Sequence, residues 1–404
     1  ASTADFDISG WTDVSIPHTW NAKDADDEIP GYFRGKGWYR KVVTVEELIP
    51  EQRVYLSFEG ANQETNVFVN GTFVGNHKGG YSAFTFDVTD YVHAGRNLIA
   101  VSVDNSHNPD IAPLSADFTF FGGIYRDVYL VYTSPVQLST THYASSGVYL
   151  KASKITDLQA NISVKTFLSN ALKSNQSLIL ETEILDADGN RVALSQKKVN
   201  VKAEEKNVAF ESLMTITQPK RWDVDSPYIY KVYSRLKNKK EEVLDCVVNP
   251  LGIREYRFDA EKGFFLNGKY RKLIGTSRHQ DYKGMGNALR DEMHIRDVQL
   301  SKDMGSNFLR VAHYPQDPVV MQMCDKLGLL TSVEIPVVNA ITQSKAFMDN
   351  CVEQVTEMVY QNYNYPSVII WAYMNEVLLR PPFNPENRTE RADYMTFLHQ
   401  IASA

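Results

Sequence analysis

Several things are scarce in this chain of 404 residues, and each scarcity excludes a class. No block of lysine or arginine occurs and the formal net charge is −7, so nucleic acid is not an expected partner. No apolar run approaches the ~20 residues that a helix needs to cross a bilayer, so no membrane partner is expected either. Cysteine occurs only at Cys246, Cys324 and Cys351, an odd and scattered set that offers neither a disulfide framework nor metal-ligand spacing. Burial as small apolar side chains is the simplest expectation for all three. Neither GxGxxG nor a P-loop follows any β-segment, so a nucleotide fold lacks its signature.

What is present suits a globular protein too long for one core, with about three domains. From residue 1 to 135 short alternating strands are broken by Gly, Asn and Asp, as in RVYLSFEG (53–60), SAFTFDV (82–88) and NLIAVSV (97–103). Asn70-Gly71 between two such strands is a hairpin signal, and the whole reads as a jelly roll. Residues 136–254 bring longer strands, including NISVKTFLS (161–169) and an Asp-Gly-Asn turn at 188–190, and suit an immunoglobulin-like sandwich. From 255 to 404 strands and helices alternate: strand 271–275, helix 287–305, strand 307–314, helix 317–328, strand 329–336, helix 344–364, strand 368–376. That alternation means a parallel sheet with crossover helices. The fold class is therefore multidomain β plus α/β, ending in the first half of a (β/α)8 TIM barrel.

The last of these strands, VIIWAYMNE, runs apolar and stops on Asn375 and Glu376. The others end similarly: the first runs into Arg278 and His279, the second carries Arg310 and reaches His313, the third delivers Glu334. Each residue alone has an ordinary explanation, such as a structural histidine, a paired arginine or a solvated glutamate. Together, on four consecutive strands, they fall at the carboxyl edge where a (β/α)8 barrel builds its active site.

These segments resemble glycoside hydrolase family 2, the group of β-galactosidases, β-glucuronidases and β-mannosidases. The resemblance lies in WTDVSIPHTW (11–20), FEGANQETNVFVNGTFVGNHKGGYSAFTFDVT (58–89) and ADFTFFGGIYRDVYL (116–130), and in the barrel in NFLRVAHYP (307–315) and Asn375-Glu376. It implies that the jelly roll is a sugar-binding domain and that Glu376 is the general acid/base. It also implies that Asn375 bonds a sugar 2-hydroxyl, that His279 and His313 contact substrate, and that Arg310 lies beside the nucleophile. Glu334 matches a binding position, and Asp117 an acid that reaches into the pocket of galactose-specific members. The mechanism implied is retaining, with two carboxyl groups about 5–5.5 Å apart.

Two departures limit the carry-over. Ser277-Arg278-His279-Gln280 stands where the family has Asn-Arg-His-Glu, and Glu334-Ile335-Pro336 lacks the imidazole of a Glu-x-His magnesium site. No metal or other cofactor is therefore expected. The substrate implied is a terminal β-linked sugar, first a β-galactoside, with β-glucuronide or β-mannoside as alternatives and a non-catalytic carbohydrate-binding protein as the rival from another class. Residues 255–404 fall well short of the about 250 residues of a full barrel. The family's nucleophile is thus expected on a later strand, outside this chain, leaving the chain inactive alone and able to self-associate through unpaired strand edges. The first residue is Ala1 rather than methionine, which slightly favours a periplasmic or secreted setting.

Overall fold

The computed structural model describes residues 1–47, 49–379, 383–384 and 386–403. In the jelly roll, a four-stranded sheet orders Lys36–Val45, Gly95–Asp104, Glu64–Val69 and Thr72–Lys78. A three-stranded sheet orders Phe84–Asp87, Arg53–Phe58 and Val128–Thr133. Their shared core is built from alternate residues such as Val54, Leu56 and Phe58 on one strand and Val67 and Val69 on another. The hairpin at Asn70-Gly71 closes with φ of 50° and 85°, the two left-handed conformations that suit a tight right-twisted turn.

The sandwich packs Val208–Thr217, Gln159–Asn170, Val136–Leu138 and Val148–Ser153 against a second sheet. That sheet orders Arg191–Val201, Gln176–Leu185, Tyr230–Lys237 and Val243–Leu251. Gly189, with φ of 85°, sits in the turn between two of its strands, where Asp186 accepts from the Asp188 and Asn190 amides.

The third unit is a parallel sheet of four strands in chain order: Gly275–Arg278, Phe308–Val311, Leu330–Glu334 and Val368–Ala372. Helices α1 (Asp291–Asp303), α2 (Pro318–Leu327) and α3 (Lys345–Asn362) make the crossovers, and α4 (Arg388–Ser403) follows the fourth strand. Capping explains where α2 begins and ends. Asp317 accepts from the Val319 amide, Pro318 occupies the first turn, and Gly328 adopts the left-handed conformation at the end. Ser344 caps α3 through the Phe347 amide.

All four barrel strands differ in their bounds from the sequence reading, the second and third ending at Val311 and Glu334 rather than at Tyr314 and Pro336. The first begins at Gly275, not Arg271, because Asn307 caps the Ile274 amide and the parallel register starts at Gly275 opposite Phe308. A Cβ at Gly275 would meet the Phe308 carbonyl oxygen, so the strand can start this close only on glycine. Before it, Tyr256–Asp259, Gly263–Leu266 and Lys269–Tyr270 form a small antiparallel sheet that the reading passed over. The fourth strand stops at Ala372 rather than Glu376. Its neighbour reaches Pro336, which has no amide hydrogen to continue the ladder, and pairing resumes as a single bridge between Val338 and Asn375. Of the cysteines, Cys324 and Cys351 are buried as expected, but Cys246 is exposed on a sandwich strand.

The three units are fastened around α3 and the barrel's lower edge. Asn364 bonds Val148, Leu150 and Asn249 of the sandwich, while Gln361 bonds Ala83 of the jelly roll and Tyr143. Arg254 donates to the carbonyl of Val368, at the start of the fourth strand. Among the described residues no helix is long and apolar enough to cross a membrane.

Candidate active site

The carboxyl ends of the second, third and fourth strands deliver one polar cluster. Arg310, inside the second strand, reaches across to the end of the third, donating from Nε to Glu334 Oε1 at 2.8 Å and from Nη2 to Oε2 at 3.1 Å. The same Nη2 donates to Asn375 Oδ1 at 2.9 Å. His313 Nδ1 lies 3.2 Å from both Arg310 Nη2 and Glu334 Oε2. Neighbouring parallel strands in register make this possible, because Arg310 and Ser332 are directly opposed and the arginine stem needs to climb only one residue pair.

Glu334 is 1% exposed. A carboxylate so placed needs a cation and further donors to offset its lost hydration, and Arg310 and His313 supply them. Glu376 stands differently. It is exposed, follows the anchored Asn375, and holds a left-handed backbone (φ 54°) that costs a non-glycine residue about 1–2 kcal/mol. The Leu379 amide donates to its carbonyl at 2.8 Å, which turns the chain there.

His279 follows the first strand and sits with its ring centroid 5.2 Å from that of His313. Its Nδ1 is 3.1 Å from the Tyr314 hydroxyl. Burial and the neighbouring His313 lower its pKa, while Asp281, Asp117 and Glu334 pull the other way. Asp117 itself is exposed, on the jelly-roll loop that meets this rim. Its neighbour Phe118 packs 5.2 Å from His279, 6.1 Å from His313 and 5.1 Å from Tyr314. The structure thus gathers His279, His313, Arg310, Glu334 and Asn375 at one rim, with Glu376 next in chain and Asp117 at the facing loop.

Sequence reasoning missed the aromatic part of this wall. Phe118 and Tyr314 look like core residues in sequence, and the only signals were their places beside Asp117 and His313. Tyr81 stacks on Tyr314 at 4.2 Å and completes it. Among the described residues no group of three or more His, Cys, Asp and Glu is arranged to hold a metal. The magnesium site of some relatives does not fit here, because the Arg310 guanidinium occupies both oxygens of Glu334 and Pro336 stands in place of the imidazole.

A parallel sheet whose carboxyl ends gather acid, amide, guanidinium and imidazole groups under a jelly-roll loop defines a barrel-rim site of a multidomain α/β protein. The chain belongs to glycoside hydrolase family 2. The models for glycosyl hydrolases family 2 match it in three stretches: the sugar binding domain over residues 3–135, the family's own domain over 146–254, and the TIM barrel domain over 259–394. A β-glucuronidase of Bacteroides fragilis is 38% identical over 374 residues, 90% of this chain and 53% of that protein. A β-galactosidase of Thermoanaerobacter pseudethanolicus is 35% identical over 386 residues, 93% of this chain and 49% of that one. Among solved structures, Bacteroides uniformis β-glucuronidase 2 covalently bound to cyclophellitol-6-carboxylate aziridine superposes with a TM-score of 0.94 at 38% identity. That likeness covers 99% of this chain and 48% of the other. The chain therefore spans about half the length of these relatives.

Proposed function

We propose that this chain carries the acid/base and sugar-binding half of a retaining β-glycosidase, and that its substrates are terminal β-glucuronides. Arg310 bound at once to Glu334 and Asn375, immediately before Glu376, is the observation that supports the reading most. With Oδ1 accepting from Arg310, the Asn375 amide has its Nδ2 hydrogens left to donate, which is what recognition of a sugar hydroxyl needs. Glu376, exposed at the rim, protonates the departing glycosidic oxygen and then, as a carboxylate, activates the water that completes turnover. Glu334 is too deeply engaged to attack an anomeric carbon, so the nucleophile comes from beyond these residues.

The sugar differs from the first expectation. Motif resemblance put β-galactosides first, whereas the names of the most similar proteins weigh towards glucuronides, including the Bacteroides fragilis and Bacteroides uniformis proteins. A panel of nitrophenyl β-glucuronide, β-galactoside and β-mannoside, given to the natural full-length protein, tests this. Turnover led by the glucuronide supports it. Turnover led by the galactoside corrects the sugar, and binding without any turnover would favour a carbohydrate-binding protein.

A further inference from the structure

Arg126 is a jelly-roll residue only 4% exposed, and its guanidinium is divided between two domains. Nη1 donates to the backbone carbonyls of Glu59 at 3.1 Å and Tyr81 at 3.0 Å, both in the jelly roll. Nη2 donates to Gln280 Oε1 at 3.2 Å and to the Pro315 carbonyl at 2.7 Å, both in the barrel. Gln280 directly follows His279, and Pro315 is two residues beyond His313. One planar cation therefore ties down both loops that carry the rim histidines. The same seam continues through Tyr81, stacked on Tyr314, whose hydroxyl meets His279.

We propose that Arg126 is a positioning residue for the rim, fixing the His279 and His313 loops against the jelly roll without touching substrate. The catalytic part of this statement rests on the glycosidase reading; the geometric part does not. Only a guanidinium suits the post. Its fork sends donors in two directions within one plane, whereas an ammonium is a point charge on a flexible stem. The seam has little slack: Gln280 is 1% exposed, and the Arg126 side chain passes so close to Gly60 that a Cβ there would lie 3.1 Å from its Cδ. A charge so deeply buried is retained by its four acceptors, and loss of the barrel pair frees both loops at once.

The test has two arms. In the first, this chain is labelled at histidine and its imidazole signals are followed by NMR through a pH titration, for the parent, Arg126→Met, Arg126→Lys and the control Arg53→Met. Arg53 pairs with Asp87 inside the jelly roll, so its loss disturbs that domain without touching the seam. Both Arg126 variants should shift the His279 and His313 signals and move the His279 titration up towards the ordinary value of ~6.5, with His18 unmoved. Arg53→Met should leave His279 and His313 as they are. In the second arm, the natural full-length enzyme carrying Arg126→Lys should lose about 10- to 100-fold in kcat/KM on an aryl glycoside, the scale of a misplaced contact group. Should Arg126→Met fail to fold, Gln280→Ala removes one barrel acceptor and must still shift the His279 signal. Unchanged His279 and His313 signals in folded Arg126 variants, or equal shifts in Arg53→Met, would overturn the proposal. If the full-length parent hydrolyses no glycoside, the functional reading fails, while the histidine signals still decide the clamp.

Discussion

Arg310 and Glu334 form a two-pronged ion pair across adjacent parallel strands, with the carboxylate sealed from water and the guanidinium partly open to the cleft. The asymmetry has an energetic consequence. Removing Arg310 leaves a buried carboxylate with only His313 and no full cation, whereas removing the charge of Glu334 leaves an arginine that can rehydrate. Arg310→Met should therefore destabilise by about 3 kcal/mol, the lower end for a broken buried pair. Glu334→Gln should cost distinctly less. Urea unfolding of both variants and of Arg310→Met/Glu334→Leu checks this, since the double variant should recover part of the loss. A double variant no better than Arg310→Met alone refutes the pairing argument.

Glu376 offers the sharpest kinetic test. In the natural full-length protein, Glu376→Gln should slow hydrolysis of substrates with poor leaving groups by about 10²–10⁴-fold. Activated aryl glycosides need little protonation of the departing oxygen and should suffer less in the step that forms the glycosyl-enzyme. Wild-type turnover of alkyl glycosides by this variant would remove Glu376 from the role.

The polar half of this site was legible in sequence because chemistry interrupted pattern. An apolar run that ends on Asn375-Glu376, or a strand that carries Arg310, breaks the period-two expectation and so marks itself. The strand bounds were less legible, since they depended on a neighbour's register: Pro336 ends the ladder that VIIWAYMNE alone would extend. Phe118, Tyr314 and Arg126 stayed hidden for another reason. Their work lies between domains, and a buried aromatic or arginine at a seam has the same local pattern as one in a core. Asp117 was found by resemblance alone.

A buried histidine sets a pH limit on the fold. Arg278 Nη2 donates to His294 Nδ1 at 2.9 Å, which requires that nitrogen to keep its lone pair. Asp317 lies 4.0 Å from the other ring nitrogen and would favour the charged form, yet burial and the charges of Arg278 and Arg126 prevail, and the pKa falls to about 3. With the folded pKa below the unfolded value of ~6.5, the unfolded chain takes up the proton first. Stability is thus full above pH ~6.5 and is lost as pH falls towards 3, by up to about 1.4 kcal/mol per pH unit. The urea midpoint of the parent should be lower at pH 5 than at pH 7, and the difference should shrink in His294→Gln, which keeps an acceptor but does not titrate. Equal pH dependence in both proteins would assign the loss to other groups.

On the proposed reading retention takes two rim carboxyl groups, and of the two strand-end glutamates among the described residues Glu334 is engaged by Arg310 and His313 while Glu376 is exposed. The expectation is that this chain by itself turns over no aryl glycoside, while the natural full-length protein does. Among the described residues, the outer edges of the first and fourth barrel strands have no ladder partner, so the isolated chain should also show concentration-dependent self-association by sedimentation. Full-length-like turnover from this chain would mean that a second carboxylate within it completes the pair.

The jelly roll should act on the sugar, and Asp117 is where this can be measured. Asp117 is exposed, yet its charge reaches His279, and Phe118 beside it covers both rim histidines. An exposed carboxylate that only decorated a loop could be removed with little effect on either stability or kinetics, as surface substitutions usually are. One that accepts a hydrogen bond from a sugar hydroxyl contributes about 1.5–3 kcal/mol, because a charged acceptor strengthens the bond. Asp117→Ala in the full-length protein should therefore weaken kcat/KM by about 10-fold or more with an unchanged melting temperature. Phe118→Ala separates the two roles of this loop, since removing a ring packed on His279, His313 and Tyr314 should lower both the melting temperature and kcat/KM. A substrate lacking the hydroxyl that Asp117 binds should be hydrolysed equally by the parent and by Asp117→Ala. If Asp117→Ala instead weakens every sugar in a deoxy series by the same factor, its effect is electrostatic, through His279, and not a contact to one hydroxyl.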